Sequence, residues 1–259
     1  MITHRDQGEG PPLLLLNGVM MTLSAWDGLV RALGPGYRVV RCDFRGQLLT
    51  PAAPHRALED NARDLVELLD RLGIGRVHLA GTSFGAAVAL AFAARFPDRV
   101  NTLALIAGGA GLGAPARERT ERWRRAARDV ARGGERRELF DLLAADIYSR
   151  GYAEREAPAI ENRRRQFARL PAAWFDRLAA LLDTTSRADL SALPSHVRAR
   201  CLVVGTEHDG LVPPADCERL ARTIPGATFR LLPDAGHAVV LEKPRETAGL
   251  LREFLAARG

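Results

Sequence analysis

Ser83 lies in the pattern of this chain that most directly suggests chemistry, Gly81-Thr82-Ser83-Phe84-Gly85. The apolar run before the pattern predicts a strand, and the small residues after it predict a helix. A serine on a sharp strand-to-helix turn has a strained backbone, so the flanking positions need glycine. Such a turn exposes the hydroxyl and directs the free N–H groups of the helix N-terminus at a reacting carbonyl. The pattern therefore predicts Ser83 as a nucleophile, with a purely structural serine as the alternative.

A serine hydroxyl needs a general base, and that base needs an acid to orient it. Asp209 follows one predicted strand of the second half of the chain, and His237 follows the next. The order Ser83, Asp209, His237 is expected when each residue lies on a loop at the carboxyl edge of one parallel sheet. The residues therefore predict a Ser-His-Asp triad, in which the nearby Glu207 is the alternative acid.

The remaining histidines and cysteines show no metal-ligand pattern. Glu207-His208-Asp209 has no partner cluster, and the three cysteines lack the spacing of a zinc site. We therefore expect neither a metal nor a cofactor. Cys42 and Cys201 lie in apolar, strand-like runs, which predicts reduced thiols in the core.

Short apolar runs alternate with helical patterns at both ends of the chain. The runs that predict strands are residues 13–16, 37–42, 77–80, 101–106, 201–204 and 228–232. Residues 58–72 and 244–257 have the apolar spacing of helices. This alternation predicts an α/β fold with a mostly parallel central sheet that is flanked by helices.

Residues 114–193 interrupt this alternation. The stretch is rich in arginine, has helical spacing throughout and contains no convincing strand. We therefore predict a core domain of residues 1–113 and 194–259 and a helical cap (lid) insertion of residues 114–193. The arginines of the cap alternate with acids, which favours a solvated face over an anion-binding site.

Composition and charge exclude several classes of protein. The 259 residues are 47% hydrophobic and 26% charged, which excludes a disordered chain or a collagen-like fibre. The net charge of +6 comes from arginines interleaved with acids, so we expect no nucleic-acid partner. The longest apolar stretch, residues 86–94, is too short to span a bilayer, so we expect no membrane association. No signal-peptide pattern follows the first residue, which predicts a cytoplasmic location.

Further motifs resemble the α/β-hydrolase superfamily, over residues 11–111 and 195–257. Within it, Leu16-Asn17-Gly18-Val19-Met20 resembles the 3-oxoadipate enol-lactonases and related small esterases. Glu242-Lys243-Pro244, after the histidine, resembles the family's G-H-x-x-x-x-E-x-P ending. The resemblance implies an α/β-hydrolase fold in which the backbone N–H groups of Val19 and Phe84 form the oxyanion hole.

One loop departs from the family pattern. Asp43-Phe44-Arg45-Gly46 resembles the D-x-R-G loop of the family, but three of the residues that follow differ. Gln47, Leu48 and Thr50 stand where histidine, glycine and serine are usual. This loop borders the active site in the family, so the departure leaves the substrate open.

The candidate pocket residues flank the predicted triad and the oxyanion turn, or lie on apolar faces of the cap. They are Asn17, Gly18, Met20, Val212 and Val239 from the core, and Trp123, Phe140 and Trp174 from the cap. For each of them ordinary packing is the alternative to contact with a substrate.

The leading hypothesis is a serine hydrolase that cleaves a small carboxylic ester or lactone through an acyl-enzyme. A carbon–carbon bond hydrolase, a perhydrolase and an acyltransferase would use the same triad. A non-catalytic ligand-binding protein is the alternative from a different class. The partner expected in every case is a small molecule. The sequence of a single chain leaves the oligomeric state open.

Overall fold

The computed structural model describes residues 2–257, and seven strands form one sheet at its centre. The strands are β1 (His4–Gln7), β2 (Pro12–Leu16), β3 (Arg38–Cys42), β4 (Val77–Thr82), β5 (Val100–Ile106), β6 (Arg200–Thr206) and β7 (Thr228–Leu232). Their order in the sheet is β1-β3-β2-β4-β5-β6-β7, and only the pairing of β1 with β3 is antiparallel. The mostly parallel sheet that the sequence predicts is confirmed.

The apolar run of β2 shows why both faces of the sheet are covered. Successive side chains of a strand point to opposite faces. Leu14 and Leu16 belong to the core on one face, and Leu13 and Leu15 belong to the core on the other. All four are completely buried, as expected for a parallel strand with helices on both sides.

The described residues form eleven α-helices, some of which cover the two faces of this sheet. They are α1 (Asp27–Leu33), α2 (Leu58–Arg71), α3 (Phe84–Arg95), α4 (Ala114–Ala131), α5 (Arg136–Ile147), α6 (Arg150–Arg155), α7 (Ala157–Phe167), α8 (Ala172–Arg187), α9 (Pro214–Thr223), α10 (Val239–Glu242) and α11 (Pro244–Ala256). Helices α1 and α11 contact each other in the core on one face, and α2 and α3 contact each other in the core on the other. Because β2 to β7 all run parallel, their carboxyl ends lie at one edge of the sheet.

Five helices, α4 to α8, fill the chain between β5 and β6, where the described residues contain no strand. Helix α4 packs along α8. An aromatic cluster joins α5, α7 and α8, with ring centroids 5.1–5.6 Å apart. Its members are Phe140, Phe167, Trp174 and Phe175. The helical character predicted for residues 114–193 is confirmed, and the division into a core and a cap domain stays a prediction.

Cys42, Cys201 and Cys217 are free thiols in the core. Burial raises the pKa of the Cys201 thiol to about 12, and it raises the pKa of Cys42 still further. The reduced core thiols predicted at Cys42 and Cys201 are therefore confirmed. Within residues 2–257, none of the helices combines the length and the apolar character needed to span a membrane.

Candidate active site

Ser83 occupies the turn between β4 and α3, with φ 55° and ψ −119°. A non-glycine residue in such a region costs on the order of 1–3 kcal/mol, so the surroundings must hold it there. The Ser83 N–H donates to the Ile106 carbonyl at 2.9 Å, which ties the turn to β5. Both flanking glycines are needed, because a Cβ on Gly81 would lie 2.2 Å from the Gly85 oxygen, and one on Gly85 would lie 2.2 Å from the Leu16 oxygen. The turn therefore has the geometry that the G-x-S-x-G pattern predicts.

Two loops bring a histidine and an aspartate to this serine. His237 Nε2 lies 2.8 Å from Ser83 Oγ, and His237 Nδ1 lies 2.8 Å from Asp209 Oδ2. The other carboxylate oxygen, Oδ1, accepts the N–H groups of Leu211 and Val212 at 2.8 and 2.7 Å. With a carboxylate as acceptor, Nδ1 carries the imidazole proton, and Nε2 is left to accept the serine hydroxyl. The structure therefore brings all three predicted triad residues together in the order acid, base and hydroxyl.

The surroundings of His237 raise its pKa above the ordinary value of 6.5. Burial acts in the opposite direction, because it disfavours the imidazolium. The charge and hydrogen bond of the Asp209 carboxylate, together with the charge of Glu242, outweigh burial. The site therefore stabilises the cation that forms when the histidine takes a proton.

Glu207, the alternative acid, lies on the same loop but does not contact the histidine. It is exposed, and its Oε2 accepts the Asp234 N–H at 3.0 Å. The sequence shows no further metal-ligating residue close to Glu207 and His208. The structure places Asp234 beside them, and one possible ligand atom from each of the three residues lies within 4.8 Å of the other two. All three are exposed and outside the cavity described below, so we assign no metal site to them.

Glu242 joins the loop that carries the histidine to the end of α5. Its carboxylate accepts the Ser149 hydroxyl at 2.6 Å, the Ser149 N–H at 3.1 Å and the Gly236 N–H at 3.0 Å. The Ala238 N–H donates to the Ile147 carbonyl at 2.9 Å. The loop that carries His237 is therefore held by the helices between β5 and β6 as well as by the sheet. These hydrogen bonds give a physical reason for the glutamate in the G-H-x-x-x-x-E-x-P motif.

Val19 and Phe84 contribute two backbone N–H groups beside the serine. Phe84 is the first residue of α3, so its N–H has no acceptor in the preceding turn of a helix. The N–H of Val19, in the loop after β2, has no hydrogen-bond acceptor within residues 2–257. Gly18 packs close to the serine, because a Cβ at this position would lie 3.5 Å from Ser83 Cβ. The two N–H groups named by the resemblance are therefore available to a ligand, and their role as oxyanion donors remains a proposal.

A cavity of about 600 Å³ opens on the serine and is lined mostly by apolar side chains from both the sheet edge and the helical segment. The lining residues include most of those that the sequence suggests. They are Ser83 and His237, the loop residues Gly18, Val19, Met20 and Val212, Phe84 at the start of α3, and Trp123, Phe140 and Trp174 from the helices between β5 and β6.

Asn17 does not line the cavity, in contrast to its predicted place in the pocket. Its side chain is completely buried behind the loop, where Oδ1 accepts Trp26 Nε1–H at 2.7 Å. Its Nδ2 donates to Asp43 Oδ1 at 2.9 Å. Burial raises the pKa of Asp43, and a buried carboxylate needs such donors. Asn17 therefore stabilises the loop and does not contact the space for a substrate.

Val239 also lies outside the cavity wall. It is completely buried in the core that contains α1 and α11. The next two residues, Val240 and Leu241, line the cavity instead. The prediction for this segment was therefore wrong by one position, because the short helix α10 turns Val239 towards the sheet.

Arg163 is the one permanently charged side chain among the described residues that line the cavity. Its Nη1 donates to the Tyr152 hydroxyl at 3.0 Å, and its Cζ lies 5.8 Å from the ring centroid of Tyr148. No acidic side chain within residues 2–257 pairs with it, whereas Arg164 and Arg165 both pair with acids. The prediction that the cap arginines form a solvated face with paired acids agrees with Arg164 and Arg165, but it is wrong for Arg163.

Comparison with known proteins agrees with the fold. The family model of the alpha/beta hydrolase fold matches residues 11–244. A 2-hydroxy-6-oxo-2,4-heptadienoate hydrolase from Pseudomonas putida is 28% identical over 97% of this chain and 91% of its own length.

Two solved structures are similar over nearly their whole length. The enol-lactonase from Burkholderia xenovorans has a TM-score of 0.86 and 29% identity, over 99% of this chain and 96% of that one. A thermophilic esterase from Thermogutta terrifontis has a TM-score of 0.85 and 30% identity, over 98% of this chain and 92% of that one. These similarities agree with the resemblance that the motifs indicate.

Proposed function

The chain belongs to the alpha/beta hydrolase fold family, and on that basis we propose that it is a serine hydrolase that cleaves a small carboxylic ester or lactone. The observation that carries this proposal is the pair of 2.8 Å contacts that join Ser83 Oγ to His237 Nε2 and His237 Nδ1 to Asp209 Oδ2. A nucleophile, a base and an orienting acid in this order are the parts that acyl transfer needs.

In the proposed first half-reaction, Ser83 Oγ attacks the carbonyl carbon while His237 Nε2 takes the hydroxyl proton. Asp209 keeps the other proton on Nδ1 and stabilises the imidazolium. The N–H groups of Val19 and Phe84 donate to the oxyanion, and each such donor contributes about 10²–10³ in rate. When the tetrahedral intermediate collapses, the imidazolium gives its proton to the leaving alkoxide, which departs as the alcohol.

The second half-reaction repeats these steps with water as the nucleophile. His237 takes a proton from the water as it attacks the acyl-serine. The tetrahedral intermediate then releases the carboxylic acid, and the proton returns to Ser83 Oγ. With a lactone the alcohol and the acid stay in one molecule, so the product is a hydroxy acid or, when the lactone is an enol lactone, a keto acid. No cofactor enters either step.

The cavity supports a finer proposal about the substrate, which is that its acyl or alkoxy part carries a carboxylate. Most of the wall is apolar, which suits a short carbon chain. Burial lowers the pKa of Arg163, but the hydrogen bonds and electrostatic interactions with Tyr152 and Tyr148 outweigh it and raise that pKa overall, so the guanidinium stays charged. A half-buried cation without an acidic partner is best satisfied by an anionic group of the ligand.

Replacing Arg163 with methionine is expected to lower kcat/KM for an ester that bears a free carboxylate by about 10- to 100-fold, because a hydrogen bond to a charged group contributes about 1.5–3 kcal/mol. The neutral methyl ester of the same skeleton should change by no more than about twofold, since it makes no such bond. Steady-state kinetics with this matched pair of substrates measures the difference.

The control variant is Arg165→Met, on the same helix. Arg165 is exposed and pairs with Glu161, so both substrates should be hydrolysed as by the wild type. If Arg163→Met lowered kcat/KM equally for the charged and the neutral ester, the contact with a substrate carboxylate would be contradicted. The proposal that the protein hydrolyses esters would not be affected by that result.

The raised pKa of His237 predicts the pH profile of the reaction. The base must be neutral, so kcat/KM for a neutral ester should fall with acidification through an apparent pKa above 6.5, the ordinary value for histidine. Tyr148 does not interfere, because burial raises its pKa. Rates measured from about pH 5 to pH 9 test this sign, and an acidic limb below the ordinary histidine value would contradict it.

A second candidate is hydrolysis of a carbon–carbon bond in a β-diketone-like carboxylate on the same triad. The similarity to the 2-hydroxy-6-oxo-2,4-heptadienoate hydrolase over 97% of the chain favours it, as does the unpaired cation in the cavity. Product analysis separates the two reactions. An ester yields an acid and an alcohol, whereas a β-diketone yields an acid and a ketone.

Intact-mass analysis after treatment with a fluorophosphonate probe tests the proposed function most directly. One adduct is expected on the wild type and none on Ser83→Ala. Ser24, the other serine among the described residues that line the cavity, contacts Thr22 rather than a histidine and should not react. An unlabelled wild type, under conditions that label a control esterase, would contradict the proposal and favour a ligand-binding protein.

A further inference from the structure

Gln47, in the loop after β3, makes contacts that the sequence does not suggest. Its side chain is 1% exposed, and its Oε1 accepts the Phe44 N–H at 2.9 Å and Asn17 Nδ2–H at 3.2 Å. Its Nε2 donates to the carbonyl oxygens of Gly18 at 2.7 Å and Val19 at 3.1 Å. Both donor positions and both acceptor positions of the amide are used. The amide is therefore oriented with Nε2, rather than Oε1, towards the loop after β2.

These bonds also fix the direction of a peptide group beside the nucleophile. The described residues contain no cis peptide, so the Gly18 carbonyl and the Val19 N–H lie in one peptide plane and point in opposite directions. Because the carbonyl is turned towards Gln47, the N–H is turned away from it. Val19 lines the cavity that contains Ser83, and its N–H has no acceptor within residues 2–257.

The Met21 N–H also donates to the Gly18 carbonyl, at 3.1 Å, so Gln47 supplies the shorter of two hydrogen bonds to that carbonyl and, within residues 2–257, the one hydrogen bond to the Val19 carbonyl. Loss of the Gln47 amide therefore removes most of what fixes the direction of these two peptides. Gly18 has no Cβ, and glycine reaches a wide range of backbone conformations at low cost. Rotation of the peptide would replace the Val19 N–H with the Gly18 carbonyl oxygen. An oxyanion that forms beside that oxygen would be repelled rather than stabilised.

We propose that Gln47 is a positioning residue that preforms the oxyanion hole by holding the Gly18 and Val19 carbonyls towards its own amide, so that the Val19 N–H points in the opposite direction. The inference rests on the proposed function, because an oxyanion forms only if Ser83 attacks a carbonyl. The related family usually has histidine at this position. A neutral imidazole donates one hydrogen bond, whereas the glutamine amide donates to both carbonyls at once.

Gln47→Met tests this role, because methionine has a similar length and donates no hydrogen bond. We expect kcat to fall by about 10- to 100-fold, less than the 10²–10³ typical of losing a donor outright, with KM within about twofold. The decisive readout is inhibition by a trifluoromethyl ketone, which forms a tetrahedral adduct with the serine. Its inhibition constant should rise by the same factor as kcat/KM falls, whereas that of the corresponding methyl ketone should not change.

Thr50→Val is the matched control, since it loosens the same loop without touching the oxyanion turn. Thr50 Oγ1 donates to the Asp43 carbonyl at 3.0 Å and accepts the Thr3 N–H at 2.9 Å. It should lower the melting temperature and leave the trifluoromethyl ketone constant within about twofold, because the tetrahedral adduct reports only the oxyanion contacts. If Gln47→Met does not fold, Gln47→Glu keeps the shape of the side chain, loses both donors and should show the same selective loss.

The outcomes separate this inference from the function on which it rests. A Gln47 variant with wild-type kcat and wild-type trifluoromethyl ketone affinity would overturn the positioning role, and so would a loss no larger than that of Thr50→Val. A wild-type protein that neither hydrolyses esters nor binds the trifluoromethyl ketone would instead overturn the proposed function.

Discussion

Replacing Ser83 with alanine is expected to lower kcat for the preferred ester by on the order of 10⁶-fold, the loss typical of removing a serine nucleophile. The variant keeps the cavity and the oxyanion donors, so substrate should still bind and KM should change little. Alanine removes only Oγ, and it has the same Cβ as serine in the strained backbone at φ 55°. Steady-state kinetics measures the loss, and thermal unfolding tests whether the fold is kept.

Ser195→Ala serves as the control for this variant. Ser195 is exposed, and its Oγ contacts only the nearby backbone and the adjacent histidine, so the rate should equal that of the wild type. A Ser83→Ala protein that keeps more than about a tenth of the wild-type rate would contradict the acyl-enzyme. It would mean that water attacks the substrate directly.

The meeting of Ser83, Asp209 and His237 could be predicted from the sequence, because the ends of the strands fix where each residue lies. Ser83, Asp209 and His237 each follow a parallel strand, and the carboxyl ends of such strands meet at one edge of a sheet. The choice of Asp209 over Glu207 depends on the Leu211 and Val212 N–H groups, which turn one carboxylate inwards. Residue spacing in the sequence does not predict those hydrogen bonds.

Side-chain direction near the cavity could be predicted only in part. Asn17 and Val239 are close to the triad in sequence, but burial of Asp43 requires the Asn17 amide, and the turn of α10 directs Val239 into the core. Proximity along the chain therefore places a backbone near the site, while long-range packing decides which side chain enters it.

The arginines of α7 show the same limit most clearly. Arg163, Arg164 and Arg165 are consecutive and identical in type, and helical geometry rotates each by about 100° from the last. Which of them faces the cavity depends on how α7 packs through Phe167 against Trp174. The sequence shows that α7 contains arginines, but the tertiary contacts of α7 decide which arginine faces the cavity.

Asp209→Asn is expected to lower kcat by about 10⁴-fold while the contacts of the site survive. The Leu211 and Val212 N–H groups hold an oxygen at the Oδ1 position, so the amide NH₂ of asparagine must take the place of Oδ2, 2.8 Å from His237 Nδ1. That NH₂ is a donor, and Nδ1 becomes its acceptor. The imidazole proton then sits on Nε2, and the base has no lone pair for the serine hydroxyl. Kinetics over a range of pH measures the loss.

The pH dependence distinguishes this loss from simple disorder. The Asp209 carboxylate is a main cause of the raised pKa of His237, so the acidic limb of the residual activity should move to lower pH in the variant. Glu207→Gln is the matched control, because it neutralises an acid on the same loop without touching the imidazole, and both its rate and its limb should stay as in the wild type. If Glu207→Gln lost the activity and Asp209→Asn kept it, the acid of the triad would be Glu207, and the loop would have to rearrange before the histidine could act as a base.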